Sequence, residues 1–189
     1  MSKKPIKNKT SKRITKLIAV ISVCGTIAYQ YSRSDYKHWI DADKDCQDTR
    51  QEVLIAESLE KPILDEKGCK VISGKWFDPY TNQYFTNPQD LDVDHFVPLK
   101  EVHRSGGQNW DKPKKMKYAN DLTNPETLIA VDKIANRSKG DKDPSDWMPP
   151  NKSYQCEYIK IWQEIKTKWQ LEMDEKEKVF IIKRLEDCS

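Results

Sequence analysis

Leu91-Asp92-Val93-Asp94-His95-Phe96-Val97-Pro98-Leu99 alternates like a strand, sets a carboxylate beside an imidazole, and stops at a proline. About forty residues on stands Asn136-Arg137-Ser138-Lys139-Gly140-Asp141, an amide inside a basic turn. A carboxylate and an amide oxygen can hold a hard divalent cation. A neutral imidazole beside that cation can take a proton from water near pH 7. These are the parts of a metal-dependent phosphodiesterase, provided the fold brings them together. Adjacent residues of a flat strand point to opposite faces. Asp94 and His95 therefore meet only if the strand bends or ends there, and Pro98 predicts such an end.

Between the two stretches lies Arg104–Pro125, a long polar segment with two glycines and two prolines, read as a loop. Thr127–Val131 is a short apolar strand candidate, and Asp132–Ser138 continues as a helix with Asp132 as N-cap. The order strand, loop, strand, helix puts His95 on a strand and Asn136 on the helix that follows. Upstream, Asp48–Glu60 has helical spacing ended by Pro62. Cys69–Trp76 alternates as a strand, and Asp78–Asn82 is turn chemistry before a returning strand at Gln83–Thr86. Downstream, Cys156, Ile159, Trp162, Ile165 and Trp169 form an amphipathic stripe. Asp174 and Glu177 resemble a capping box for a last helix, with Val179, Ile182 and Leu185 on one side. The tryptophans read as core.

The chain has 189 residues, 37% hydrophobic and 33% charged, which suits one domain with a modest core. Its formal charge of +3 is misleading, because residues 1–16 carry seven basic side chains and no acid. Removing those seven charges leaves −4 for the remainder, so overall attraction to a polyanion is excluded. Locally, residues 100–142 hold ten Lys or Arg against six acids. The run Lys112, Lys114, Lys115 and Lys117 reads either as solvated charge or as substrate-binding surface.

Leu17–Ala28 is an apolar stretch of 12 residues behind the basic run. That is short for a membrane span, which needs roughly 20 residues, and right for a signal segment. Residues 1–28 are thus a cleaved signal peptide or an uncleaved anchor, with lipidation at Cys24 a weaker alternative. Membrane contact is expected through this segment alone, if it is retained. Residues 29–45 read as a linker and 46–189 as the domain. Export agrees with the cysteines: Cys46, Cys69, Cys156 and Cys188 make an even set expected as two disulfides. Cys46–Cys69 with Cys156–Cys188 closes the shortest loops. A four-cysteine zinc site is the rival, without any C-x-x-C pair to support it.

Asp94-His95-Phe96-Val97-Pro98, Asn124-Pro125-Glu126-Thr127-Leu128 and Asn136 through Pro144 together resemble an HNH endonuclease with a ββα-metal core. The resemblance is to the exported branch related to the C-terminal domain of GmrSD-type restriction enzymes. Gly74–Tyr80, Arg104–Gly107 and Tyr118–Asp121 are similar to that branch as well. The resemblance implies an α+β fold with a ββα-metal core and flanking helices. It implies that His95 is the general base, Asp94 and Asn136 are ligands of one divalent ion, and Asn124 orients the base, with Asn120 as its rival. Mg²⁺ suits so sparse an oxygen set, with Mn²⁺ the alternative. Arg104, Arg137 and Lys139 are candidate phosphate contacts. The implied activity is hydrolysis of nucleic acid, DNA first and with low sequence specificity, leaving 5′-phosphate ends. Two other classes stay open: a cell-surface binding module on an inactive nuclease scaffold, and a nuclease toxin with a specific partner. Secreted, periplasmic and membrane-tethered locations all fit.

Overall fold

The computed structural model describes residues 30–188. The expected signal or anchor segment lies outside them. No helix among the described residues is long and apolar enough to cross a membrane.

Nine of the twelve main elements surround one β-hairpin-like ribbon and the helix that follows it. In chain order they are α1 (Thr49–Ala56), β1 (Ile63–Leu64), β2 (Val71–Ser73), β3 (Trp76–Asp78), β4 (Gln83–Phe85) and β5 (Leu91–His95). Then come α2 (Leu99–Arg104), α3 (Lys112–Ala119), β6 (Leu128–Asp132), α4 (Lys133–Lys139), α5 (Gln155–Trp169) and α6 (Glu175–Asp187). The strands pair as three antiparallel two-stranded ribbons, β1–β2, β3–β4 and β5–β6. The fold class is α+β, as expected.

The β5–β6 register runs from Leu91↔Asp132 to His95↔Leu128. Period-two alternation then sorts the ribbon into two faces. Leu91, Val93, Leu128 and Ala130 enter a core with Val53, Leu54, Val71 and Trp76. Asp92 and Asp94 take the other face, where α4 lies against both strands. The helix starts directly at the end of β6 because the Asp132 carboxylate accepts from Ala135 N at 2.7 Å, which caps it. β5 ends at His95, so the bend needed to bring Asp94 and His95 to one place is present.

A second, larger core collects Tyr80, Phe96, Val97, Tyr118, Tyr158, Ile159, Trp162 and Ile165. Ile159, Trp162, Ile165 and Trp169 of the α5 stripe are buried as their spacing predicts, and Cys156 is partly buried. The disulfides are Cys46–Cys69 and Cys156–Cys188, the expected pairing. Each closes a loop of 23 or 32 residues. In the chain-entropy account such loops are worth about 3–4 kcal/mol apiece.

Three expectations need correction. Arg104–Pro125 is not one loop: it contains the end of α2 and all of α3, which Asp111 caps by accepting from Lys114 N at 2.8 Å. Pro113 lies in the first turn of α3, where its missing N–H is harmless. On α6, Val179 and Ile182 are exposed and Ile181 is buried. Residues 30–45 are not a spacer. Tyr36 is fully buried in the larger core, and Ile40 O accepts from Thr49 N at 2.9 Å.

Candidate active site

A cleft of about 390 Å³ opens where β5 ends and α4 passes beneath it. It is lined by Asp94, His95, Asn136, Arg137, Arg33 and Lys100, among others. The fold thus brings together His95, Asp94, Asn136 and Arg137 from the sequence reading.

His95 is buried and its ring is clasped by aromatic neighbours. Trp39 stacks on it at 5.3 Å between centroids and Tyr118 at 6.3 Å, while His38 meets it edge-on at 6.1 Å. Trp39 holds a left-handed backbone, φ 56°, which is uncommon for a bulky residue. The ring's Nε2 lies 3.0 Å from Ala119 O. A carbonyl only accepts, so Nε2 carries the hydrogen and Nδ1 holds the free lone pair. Burial is the main force on its protonation, followed by the positive field of Arg33, His38 and Lys139. Together they push the imidazole down to about 3, against the Ala119 bond, which favours the charged form. His95 is therefore a neutral, oriented imidazole at physiological pH.

Asp94 and Asp92, two apart on one strand face, meet Lys139 and Asn136, three apart on one helix face. Asn136 Nδ2 donates to Asp92 Oδ2 at 3.2 Å, which turns the amide so that its Oδ1 is the group left for a ligand. Asp94 is nearly fully buried. Its Oδ2 accepts from Tyr80 OH at 2.8 Å and from the Lys139 ammonium. Burial raises the Asp94 carboxyl and Lys139 and Tyr80 lower it, with burial ahead. Both partners engage Oδ2, so Oδ1 is the oxygen that could reach an ion.

Lys139 is not the phosphate contact that a basic turn suggests. It is completely buried, bound to Asp94 and donating to His95 O at 3.2 Å. Burial pulls its ammonium pKa down, partly offset by Asp94. Arg104 is half-spoken for as well: it pairs with Glu101 and with Asp141 Oδ2 at 3.0 Å. Arg137 remains solvent-facing, with its side chain 70% exposed and Nε 3.5 Å from Asp92 Oδ2.

The structure places Asn124 away from the cleft. Its Oδ1 accepts from Glu126 N at 3.2 Å, and it lines a separate hollow with Glu57 and Leu128. Asn120 stands next to Ala119, whose carbonyl holds His95. Its amide accepts from Ile40 N (3.2 Å) and Thr49 Oγ1 (2.9 Å) and donates to Lys37 O (2.7 Å) and Met116 O (2.8 Å). It ties the 37–40 segment to the end of α3 and so fixes both Trp39 and the Ala119 carbonyl around His95. Of the lysine run, Lys115 is buried beneath Tyr36, and Lys114 lies over the Trp110 ring at 4.5 Å. Sequence reasoning missed Trp39, Tyr80 and Arg33. No local pattern distinguishes them from other aromatic or basic residues in polar segments.

Residues 48–184 match the family described as GmrSD restriction endonucleases, C-terminal domain. A protein of Arthroderma benhamiae named "Uncharacterized secreted protein" is 37% identical over 158 residues, covering 84% of this chain and 76% of the relative. No solved structure matches. The two disulfides and the secreted relative agree on an exported chain. The family match spans most of the chain, including every residue of the cleft carried by β5 and α4, and the chain therefore belongs to the GmrSD restriction endonuclease C-terminal domain family, a nuclease-related family.

Proposed function

We propose that the cleft is the catalytic centre of an HNH endonuclease of the ββα-metal type, hydrolysing DNA with low sequence specificity. The observation that carries this reading is the state of His95. It is buried, neutral, fixed through Nε2 to Ala119 O, and set beside Asp94 and Asn136 at the end of a β-β-α unit.

His95 Nδ1 takes a proton from a water in the cleft as that water attacks the phosphorus in line. The P–O3′ bond breaks, and the leaving oxygen is protonated from solvent, giving 3′-hydroxyl and 5′-phosphate ends. Asp94 Oδ1 and Asn136 Oδ1 fit a hard divalent ion, because neither oxygen is taken by the bonds that hold its side chain. Two protein oxygens suit Mg²⁺, which keeps waters and takes substrate phosphate oxygens for the rest of its shell. When bound there, such an ion supplies charge stabilisation for the phosphate and the leaving oxygen. Arg137, Arg33 and Lys100 line the same cleft and provide positive charge for the flanking phosphates without reading bases.

Plasmid cleavage with Mg²⁺, with and without EDTA, tests the reading. Nicking that needs Mg²⁺ and weakens in Asn136→Ala, with partial rescue by high Mg²⁺ or Mn²⁺, is the expected result. Absence of metal-dependent cleavage of single- or double-stranded DNA contradicts it.

A further inference from the structure

Residues 31–40 precede the matched family span, which begins at residue 48, yet they build part of the cleft. Tyr31 and Arg33 line it, and His38 and Trp39 lie against the His95 ring. The segment is firmly held. Tyr36 is buried in the larger core, and the Asn120 amide donates to Lys37 O and accepts from Ile40 N. Arg33 opens a 3₁₀ turn, Arg33–Asp35, in which Asp35 N donates to Ser32 O and Tyr36 N to Arg33 O, both at 3.1 Å. The backbone that carries this arginine is therefore fixed beside the cleft by a buried anchor three residues on.

Charge pairing separates Arg33 from the other cations there. Lys100 Nζ lies 2.9 Å from Asp141 Oδ2, and Arg137 Nε 3.5 Å from Asp92 Oδ2. Among the described residues, Arg33 is the cleft-lining cation that forms no ion pair. Its polar contacts are neutral. His38 Nδ1 lies 2.9 Å from Tyr36 O, and a carbonyl only accepts, so Nδ1 carries the hydrogen and Nε2 is left as an acceptor. Arg33 Nε donates to that Nε2 at 3.4 Å, and the Tyr31 hydroxyl is its other partner. A guanidinium has five N–H donors in a planar fork, so most of this fork is left for a ligand. Unpaired, it attracts an anion, and its shape matches the oxygens of a phosphate. The His38 ring that it touches is 6.1 Å from the His95 ring, centre to centre, which sets the fork close to the imidazole.

We propose that Arg33 is the substrate-anchoring residue of the cleft: its guanidinium binds a DNA phosphate beside the scissile one, and the 31–40 segment is a working part of the active site. The identity of the anion rests on the nuclease reading. Because a phosphate carries no base identity, Arg33 adds affinity without sequence preference.

Binding of a fluorescein-labelled DNA duplex to the full chain in EDTA, followed by anisotropy across a salt series, tests the proposal without relying on catalysis. Arg33→Gln should weaken binding by about 10–100-fold and flatten the log–log salt slope by about 0.9. Arg33→Lys keeps the charge and loses the fork, so it should keep the slope and recover part of the affinity. Lys37→Gln removes an exposed charge of the same segment that does not line the cleft, and it should keep the wild-type slope. Wild-type affinity and slope in Arg33→Gln would overturn the proposal. So would an equal loss in Lys37→Gln, which would make the effect one of net charge. Plasmid cleavage separates the proposal from the reading it rests on. Cleavage by the wild type with unchanged DNA binding in Arg33→Gln overturns the Arg33 assignment alone. Arg33-dependent binding without metal-dependent cleavage overturns the nuclease reading alone, and a wild type that binds no DNA overturns both.

Discussion

At the scale of single residues, the proton on His95 and the ammonium of Lys139 govern the site. The folded His95 sits at about 3, below its ordinary 6.5, so the unfolded chain takes up this proton first as pH falls. Its contribution to stability is full above about pH 6.5 and is lost as pH drops from there toward 3. An NMR titration should show the His95 ring neutral at pH 5, with Nε2 protonated; a midpoint near 6.5 would contradict the account. Lys139 and Arg137 are two places apart in sequence and opposite in role. Lys139→Met should cost about 3–5 kcal/mol in urea unfolding, because it strands the Asp94 carboxylate in the interior. Arg137→Gln should change stability by no more than about 0.5 kcal/mol and flatten the salt dependence of DNA binding by about 0.9 log units per log unit of salt. A Lys139→Met variant with wild-type stability would show that the buried pair is not holding the strand to the helix. The sequence made His95, Asp94 and Asn136 legible because each is a rare chemical type at a telling place. It misread Lys139 and Asn124 because burial and side-chain direction are decided by tertiary contacts that a motif does not encode.

At the scale of elements, the β5–β6–α4 unit was readable from alternation and from Asp132 as a cap, since local signals and tertiary packing agree there. They disagree elsewhere. α3 was hidden by its prolines and lysines, although Asp111 before Pro113 is a proper start signal. The buried face of α6 was misjudged because Glu177 points inward. It accepts from Trp162 Nε1 at 2.6 Å and pairs with the buried Lys166 at 2.7 Å, which rotates Ile181 into the core and Val179 and Ile182 out. The join between α1 and β6 carries its own prediction. Glu57, closing α1, accepts from Ala130 N at 2.8 Å, and burial raises its carboxyl to about 8 against that bond. The folded state thus holds this proton more tightly than the unfolded chain, so stability from Glu57 is present below pH 4.5 and is lost as pH rises through 8. Glu57→Gln keeps an acceptor for Ala130 N without the charge. It should be stabilising by about 1–3 kcal/mol at pH 8 and nearly neutral at pH 4.5, measured by urea unfolding at both values. A destabilised variant at pH 8 would refute the assignment.

At the scale of the whole molecule, export, two disulfides and a modest core form one consistent design. The domain is slightly acidic outside its first 16 residues, so nucleic acid must be held by the local charge around the cleft. The segment 29–45 read as a linker because it is polar. It serves instead as a strap, with Tyr36 in the core and Trp39 on His95. The central claim is that His95 is the base of a metal-dependent nuclease, and single-turnover cleavage of DNA by wild type and His95→Ala in Mg²⁺ tests it most directly. With the variant folded by circular dichroism, the account predicts a rate lower by about 10²–10⁴-fold. A folded His95→Ala protein that retains more than about a tenth of the wild-type rate would contradict it.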